Sequence, residues 1–124
     1  MKRIAALAIL STFLMSTQAQ ATNVLPEAFK GIWNSNCEVT DDIDSIHIDN
    51  DAFGYWEKIA TVKSIRVISN NEISVELHFA DNEGSEWDEK RSYKITEQKL
   101  VETIQIPDSI KQRAEIRLRC GKSR

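Results

Sequence analysis

Apolar and polar residues alternate with a period of two along most of this chain. In Ile73-Ser74-Val75-Glu76-Leu77-His78-Phe79 every second residue is apolar, so a strand buries one face and turns Glu76 and His78 outward. Ser45-Ile46-His47-Ile48-Asp49 repeats the pattern, with Ile46 and Ile48 inward and His47 outward. Near the end, Ala114, Ile116, Leu118 and Cys120 alternate with Arg113, Glu115, Arg117 and Arg119 on the opposite face. Segments 32–39, 52–56, 57–68, 85–95 and 100–106 read as further strands, with 57–68 either one long strand or two with a bend. Residues 26–30 and 108–112 each suit a single helical turn. Asn50-Asp51, Asn70-Asn71, Asp81-Asn82-Glu83-Gly84 and Glu97-Gln98-Lys99 supply turn chemistry between the strands.

Strands at spacings of about 8–12 residues, with no long amphipathic helix, predict an all-β barrel or sandwich of antiparallel neighbours. Two cysteines decide between them. Cys37 lies at the end of the first strand and Cys120 at the end of the last. In an oxidising compartment they pair as a disulfide, since a reactive thiol pair needs close spacing or an activating neighbour. Such a bond makes the first and last strands neighbours. In a meander this requires closure, so a small up-and-down barrel with its ends joined is expected over an open sandwich.

The first 21 residues change the size and the address. Met1-Lys2-Arg3 is basic, residues 4–15 are apolar apart from Ser11 and Thr12, and Ala19-Gln20-Ala21 has the A-x-A form. This is the pattern of a secretory signal cleaved after Ala21, with an apolar run too short to span a bilayer. A bacterial periplasmic or secreted protein is the expectation, with residues 22–124 as one domain and no stable membrane insertion. The whole chain has 124 residues and a net charge of −3; without the leader it has 103 residues at −5. An acidic balance argues against a nucleic-acid partner.

Phe29-Lys30-Gly31-Ile32-Trp33 reads F-x-G-x-W and resembles the opening of lipocalin-like (calycin) barrels. The resemblance implies a short helical turn leading through Gly31 into the first strand, with Trp33 plugging the closed end. It further implies an arginine from the last strand packed across the tryptophan, for which Arg117 and Arg119 are the candidates. The chain is shorter than full lipocalins, so a barrel of this size is expected to fill part of its interior with side chains.

Catalytic constellations are absent from the pattern. His47 and His78 fall at outward positions, no serine lies in G-x-S-x-G, and four glycines at 31, 54, 84 and 121 make no phosphate-cradling loop. A calcium loop starting at Asp49 fails, because Phe53 replaces an oxygen ligand and Ala60 stands where glutamate is needed. Neither a metal nor a cofactor is expected, and the chain is read as a non-enzyme. Two features suit binding. Residues 38–51 hold six acids, Asp41, Asp42 and Asp44 among them, and no Lys or Arg, while residues 111–124 hold six bases. These patches either offset each other across neighbouring strands or leave an acidic face for a basic partner. Phe53, Tyr55 and Trp56 crowd three aromatics into four residues, more than one strand face can bury. The expectation is a binding protein for a small apolar ligand at the barrel mouth. The alternative is a protein inhibitor or immunity-type factor that engages a basic hydrolase through the acidic loop.

Overall fold

A computed structural model describes residues 20–22, 24–38, 43–106 and 108–121. The strands are β1 (Gln20–Thr22), β2 (Gly31–Asn34), β3 (Ile46–Ile48), β4 (Ala52–Tyr55), β5 (Lys58–Ser69), β6 (Glu72–Asp81), β7 (Glu86–Thr96), β8 (Lys99–Gln105) and β9 (Gln112–Gly121). From β2 to β9 each strand pairs antiparallel with the next, and β9 pairs back with β2. The result is a closed eight-stranded up-and-down barrel, an architecture compatible with a lipocalin-like fold. Cys37 and Cys120 form a disulfide with their Cα atoms 5.2 Å apart, joining the regions beside the first and last barrel strands.

The ninth strand stands outside the closed ring. β1 lies antiparallel on β5 at Ile65 to Val67, past the stretch of β5 that pairs with β4. The expected cleavage point after Ala21 falls within β1, and residues 1–19 lie outside the described residues.

Local chemistry explains most element boundaries. The long segment at 57–68 is a single strand, bent by register shifts near Val62 and Val67. Gly84 turns the β6–β7 hairpin at φ +88°, a conformation that favours glycine. Glu97 and Gln98 make the β7–β8 turn at positive φ without one. Two expectations need correction. The first strand ends at Asn34 rather than residue 39, because the chain turns there so that Cys37 can reach Cys120. Residues 108–112 form a bend rather than a helical turn, closed by Ile106 N–H donating to the Lys111 carbonyl, and Gln112 already belongs to β9.

Inward residues fill the barrel. Phe29, Trp33, Ile46, Ile48, Phe53, Ile65, Ile73, Val75, Leu77, Phe79 and Leu100 pack into one core. The final strand reverses the usual rule: Ile116 and Leu118 face outward, while Glu115 and Arg117 face in. At the closed end a 3-10 turn, Glu27–Phe29, leads into Gly31 at φ +136°. The fully buried Trp33 donates its indole N–H to the Phe29 carbonyl. Arg119 lies across the Trp33 ring, its guanidinium carbon 4.1 Å from the centroid, and donates to the carbonyls of Ala28 and Lys30. Of the two arginines the resemblance proposed for this contact, Arg119 makes it and Arg117 does not.

Candidate functional site

Residues 43–45, 56–57, 82–85 and 108–111, in the connections between strands, lie at the end of the barrel opposite the Glu27–Phe29 turn. Below them the inward positions of three neighbouring strands carry charge. The β7–β8 register sets Tyr93 beside Glu102, and the β8–β9 register sets Glu115 beside it on the other side. Arg91 lies two residues before Tyr93 on β7 and Arg117 two residues after Glu115 on β9, on diagonals that long side chains can reach.

The completely buried Glu102 gathers this network. Its Oε1 accepts from Arg117 Nη1 at 2.8 Å, and its Oε2 accepts from Arg91 Nη1 at 3.0 Å. Oε2 also accepts from the hydroxyls of Tyr55 at 2.6 Å and Tyr93 at 2.9 Å. Those hydroxyls are 2.6 Å apart, so two protons serve three contacts and the trio acts as one hydrogen-bonded unit. Burial pushes the Glu102 carboxyl up, but the Tyr55 hydrogen bond, Arg91 and Arg117 outweigh it and hold the group below its ordinary value. Burial and the neighbouring Glu102 charge keep Tyr55 protonated well above the usual phenol range. Burial first, then Tyr55 and Glu102, do the same for Tyr93. Each arginine has a second carboxylate: Glu89 for Arg91 and Glu115 for Arg117. Arg117 also donates Nε to the Asp44 carbonyl at 2.7 Å, pinning the chain just before β3. Among the described residues no buried side-chain polar atom lacks a hydrogen-bond partner.

Above the network is a recess of about 270 Å³. Tyr55, Arg91, Glu102 and Arg117 lie at its base, with Ile43, Asp44, Trp56, Lys58, Arg113 and Glu115 around it. Trp56 is 49% exposed and Ile43 59% exposed. Lys58 holds its ammonium 5.5 Å from the Tyr55 ring, 5.2 Å from Phe79 and 5.9 Å from Trp87. Phe79 and Trp87 are stacked, with centroids 5.4 Å apart. Arg91 lies over the Tyr55 and Phe79 rings as well, at 5.1 and 4.6 Å. Partial burial, and secondarily Arg91, lower Lys58 from the usual lysine value.

The recess brings together Asp44, Tyr55, Trp56 and Arg117 from the residues singled out in the sequence. Phe53 is part of the core, packed on Tyr93 with centroids 5.1 Å apart. Asp41 and Asp42 lie outside the described residues. Lys58, Arg91, Tyr93 and Glu102 were missed, although a signal existed. Glu89, Arg91 and Glu102 share the inward parity of Trp87, Tyr93, Leu100 and Ile104, and opposite charges at core positions of adjacent strands indicate a buried network.

The histidines stand apart from this network. His78, on the outer wall, is clamped between Asp88 at 2.7 Å and Glu86 at 2.9 Å, and these hydrogen bonds, Glu86 first, raise its pKa. His47 lines a separate 230 Å³ depression with Ser45, Gly54 and Tyr55. Among the described residues no three His, Cys, Asp or Glu side chains are grouped to hold a metal. Comparison with protein-family models, curated proteins and solved structures gives no match.

Proposed function

We propose that this chain is a non-enzymatic periplasmic or secreted binding protein that takes a small ligand at the open mouth of a lipocalin-like barrel. The carrying observation is the 270 Å³ recess, with a fixed ion network at its base and the exposed apolar faces of Trp56 and Ile43 at its rim. Convergent polar groups under an apolar rim are the usual make-up of a ligand site. The filled core below Glu102 confines the ligand to the mouth. At ~30 Å³ per water, the recess holds about nine waters, or a ligand of about ten non-hydrogen atoms. The lipocalin-like assignment draws support from Gly31, Trp33 and the Arg119 contact. The leader sequence and the Cys37–Cys120 bond support an oxidising compartment.

A thermal-shift screen of neutral, anionic and cationic amphiphiles of this size tests the reading. A ligand at ten times its Kd adds ~1.4 kcal/mol and raises Tm by roughly 5–10 °C. The shift should shrink in Trp56→Ala. No stabilisation by any class would remove the small-ligand reading.

One observation favours a protein partner as the second reading. Ile110 is 99% exposed on the same end as Ile43 and Trp56, and large apolar side chains exposed together mark partner surfaces. Inhibition of a basic lysozyme-type hydrolase by the purified chain, weakened by Ile43→Ser and Ile110→Ser, would support it. Unaltered hydrolase activity would count against it.

A further inference from the structure

We propose that the mouth selects a monoanionic ligand, such as a carboxylate of about ten non-hydrogen atoms, with its charged head on Lys58 and its apolar body against Trp56 and Ile43. This inference rests on the small-ligand reading of the same recess.

The four cations around the recess are not equivalent. Arg91 and Arg117 are engaged by Glu102 and by their second carboxylates, Glu89 and Glu115. Arg113 reaches Glu115 at 3.4 Å, sharing that carboxylate with Arg117. Lys58 makes no ion pair with any described residue. Its partners are the faces of Tyr55, Phe79 and Trp87, two of which it shares with the Arg91 guanidinium.

A half-buried ammonium beside a second cation is electrostatically unfavourable, because it loses hydration and gains repulsion. Aromatic faces offset part of that cost. An anion in the recess would offset the rest. Glu89, Glu102 and Glu115 are all engaged by the three arginines, so among the described residues Lys58 is the recess cation with no carboxylate in ion-pair contact. Trp56 and Ile43 set the character of the rest of the ligand.

Isothermal titration of the intact, disulfide-bonded chain with octanoate, 1-octanol and octyltrimethylammonium tests the selection. Octanoate should bind at least about tenfold more tightly than 1-octanol, and the cation least. In Lys58→Met, which keeps the apolar stem over the rings, that margin should vanish; Lys58→Arg should keep part of it. Should Lys58→Met fail to fold, the octanoate margin in the parent remains readable. Movement of the Lys58 side-chain NMR resonances by octanoate, and not by 1-octanol, then places the head. Equal binding of octanoate and 1-octanol overturns the anion selection and leaves the small-ligand reading standing; an unchanged margin in Lys58→Met overturns the placement of the charged head on Lys58. Binding by none of the three probes overturns both.

Discussion

Two arginines from β9, two residues apart, sit at opposite ends of the barrel's chemistry. Arg119 covers the outer face of Trp33, caps two backbone carbonyls of the entering chain and stays in contact with solvent. Arg117 is buried, bonded to Glu102, Glu115 and the Asp44 carbonyl. Around Arg119 the barrel closes by apolar packing, which is favourable in proportion to the area removed from water. Around Arg117 it buries ions, whose desolvation cancels much of their attraction. The closed end therefore holds the fold together. The mouth instead holds a base of mutually bonded donors and acceptors under an open recess.

The largest expected effects probe that division directly. Trp33→Ala should cost ~3–5 kcal/mol, read from urea unfolding with the disulfide intact. Glu102→Ala should cost a similar ~3–5 kcal/mol, because it removes the buried carboxylate that two buried guanidinium groups and two tyrosine hydroxyls share. The ends separate on a different replacement. Glu102→Leu combined with Arg91→Met and Arg117→Met removes the three buried charges, leaves the Tyr55 and Tyr93 hydroxyls bonded to each other, and should be neutral or stabilising by about 1–4 kcal/mol. A combined variant as unstable as Glu102→Ala would make the mouth network a stabilising element and erase the contrast.

A smaller effect sharpens the contrast between the arginines. Arg119→Met should cost ~1–2 kcal/mol, since the lost cation–π contact and hydrogen bonds are replaced partly by water. Arg117→Met, which leaves the buried Glu102 short of a partner, should cost ~3–5 kcal/mol in the same urea assay. Equal losses would mean that burial does not distinguish them.

The closed end was more legible in the sequence than the mouth. Phe29, Gly31 and Trp33 are adjacent in the chain, so their geometry follows from a local turn and a strand start, and closure followed from two cysteines. The mouth depends on registers. Glu102 meets Tyr93 and Glu115 only because β7, β8 and β9 pair as they do, and a one-residue slip would turn Glu102 to the outside. Period-two alternation was read correctly in β9, but an apolar face is ordinarily the inner one. Ile116 and Leu118 face outward because the arginine face is engaged by Glu102 at one end and by Trp33 and the 3-10 turn at the other. The extent of the first strand escaped although a local signal existed: just past Asn34 the Glu38 N–H donates to Asn36 Oδ1 in a turn, and Cys37 there meets a residue 83 positions on.

Acid makes the finest distinction between the two ends. Glu102 has a folded-state pKa below its ordinary value of about 4.5, because its hydrogen bond from Tyr55 and its two arginines outweigh burial. A depressed carboxyl contributes stability that is fully present above about 4.5 and is lost as pH falls from there through the folded value. The loss amounts to ~1.4 kcal/mol for each unit of depression. The Trp33 indole carries no acid group, so its packing at the closed end should be unaffected. Asp88 on the outer wall is also lowered, by Lys63 first and His78 second, and would add its own acid sensitivity. The comparison is therefore made in Asp88→Asn, with urea midpoints at pH 7 and pH 3 for that protein and for its Glu102→Leu, Arg91→Met, Arg117→Met derivative. The protein that keeps Glu102 should lose more stability on acidification than the derivative. Equal losses would place the acid sensitivity outside the mouth and remove titration as a difference between the two ends.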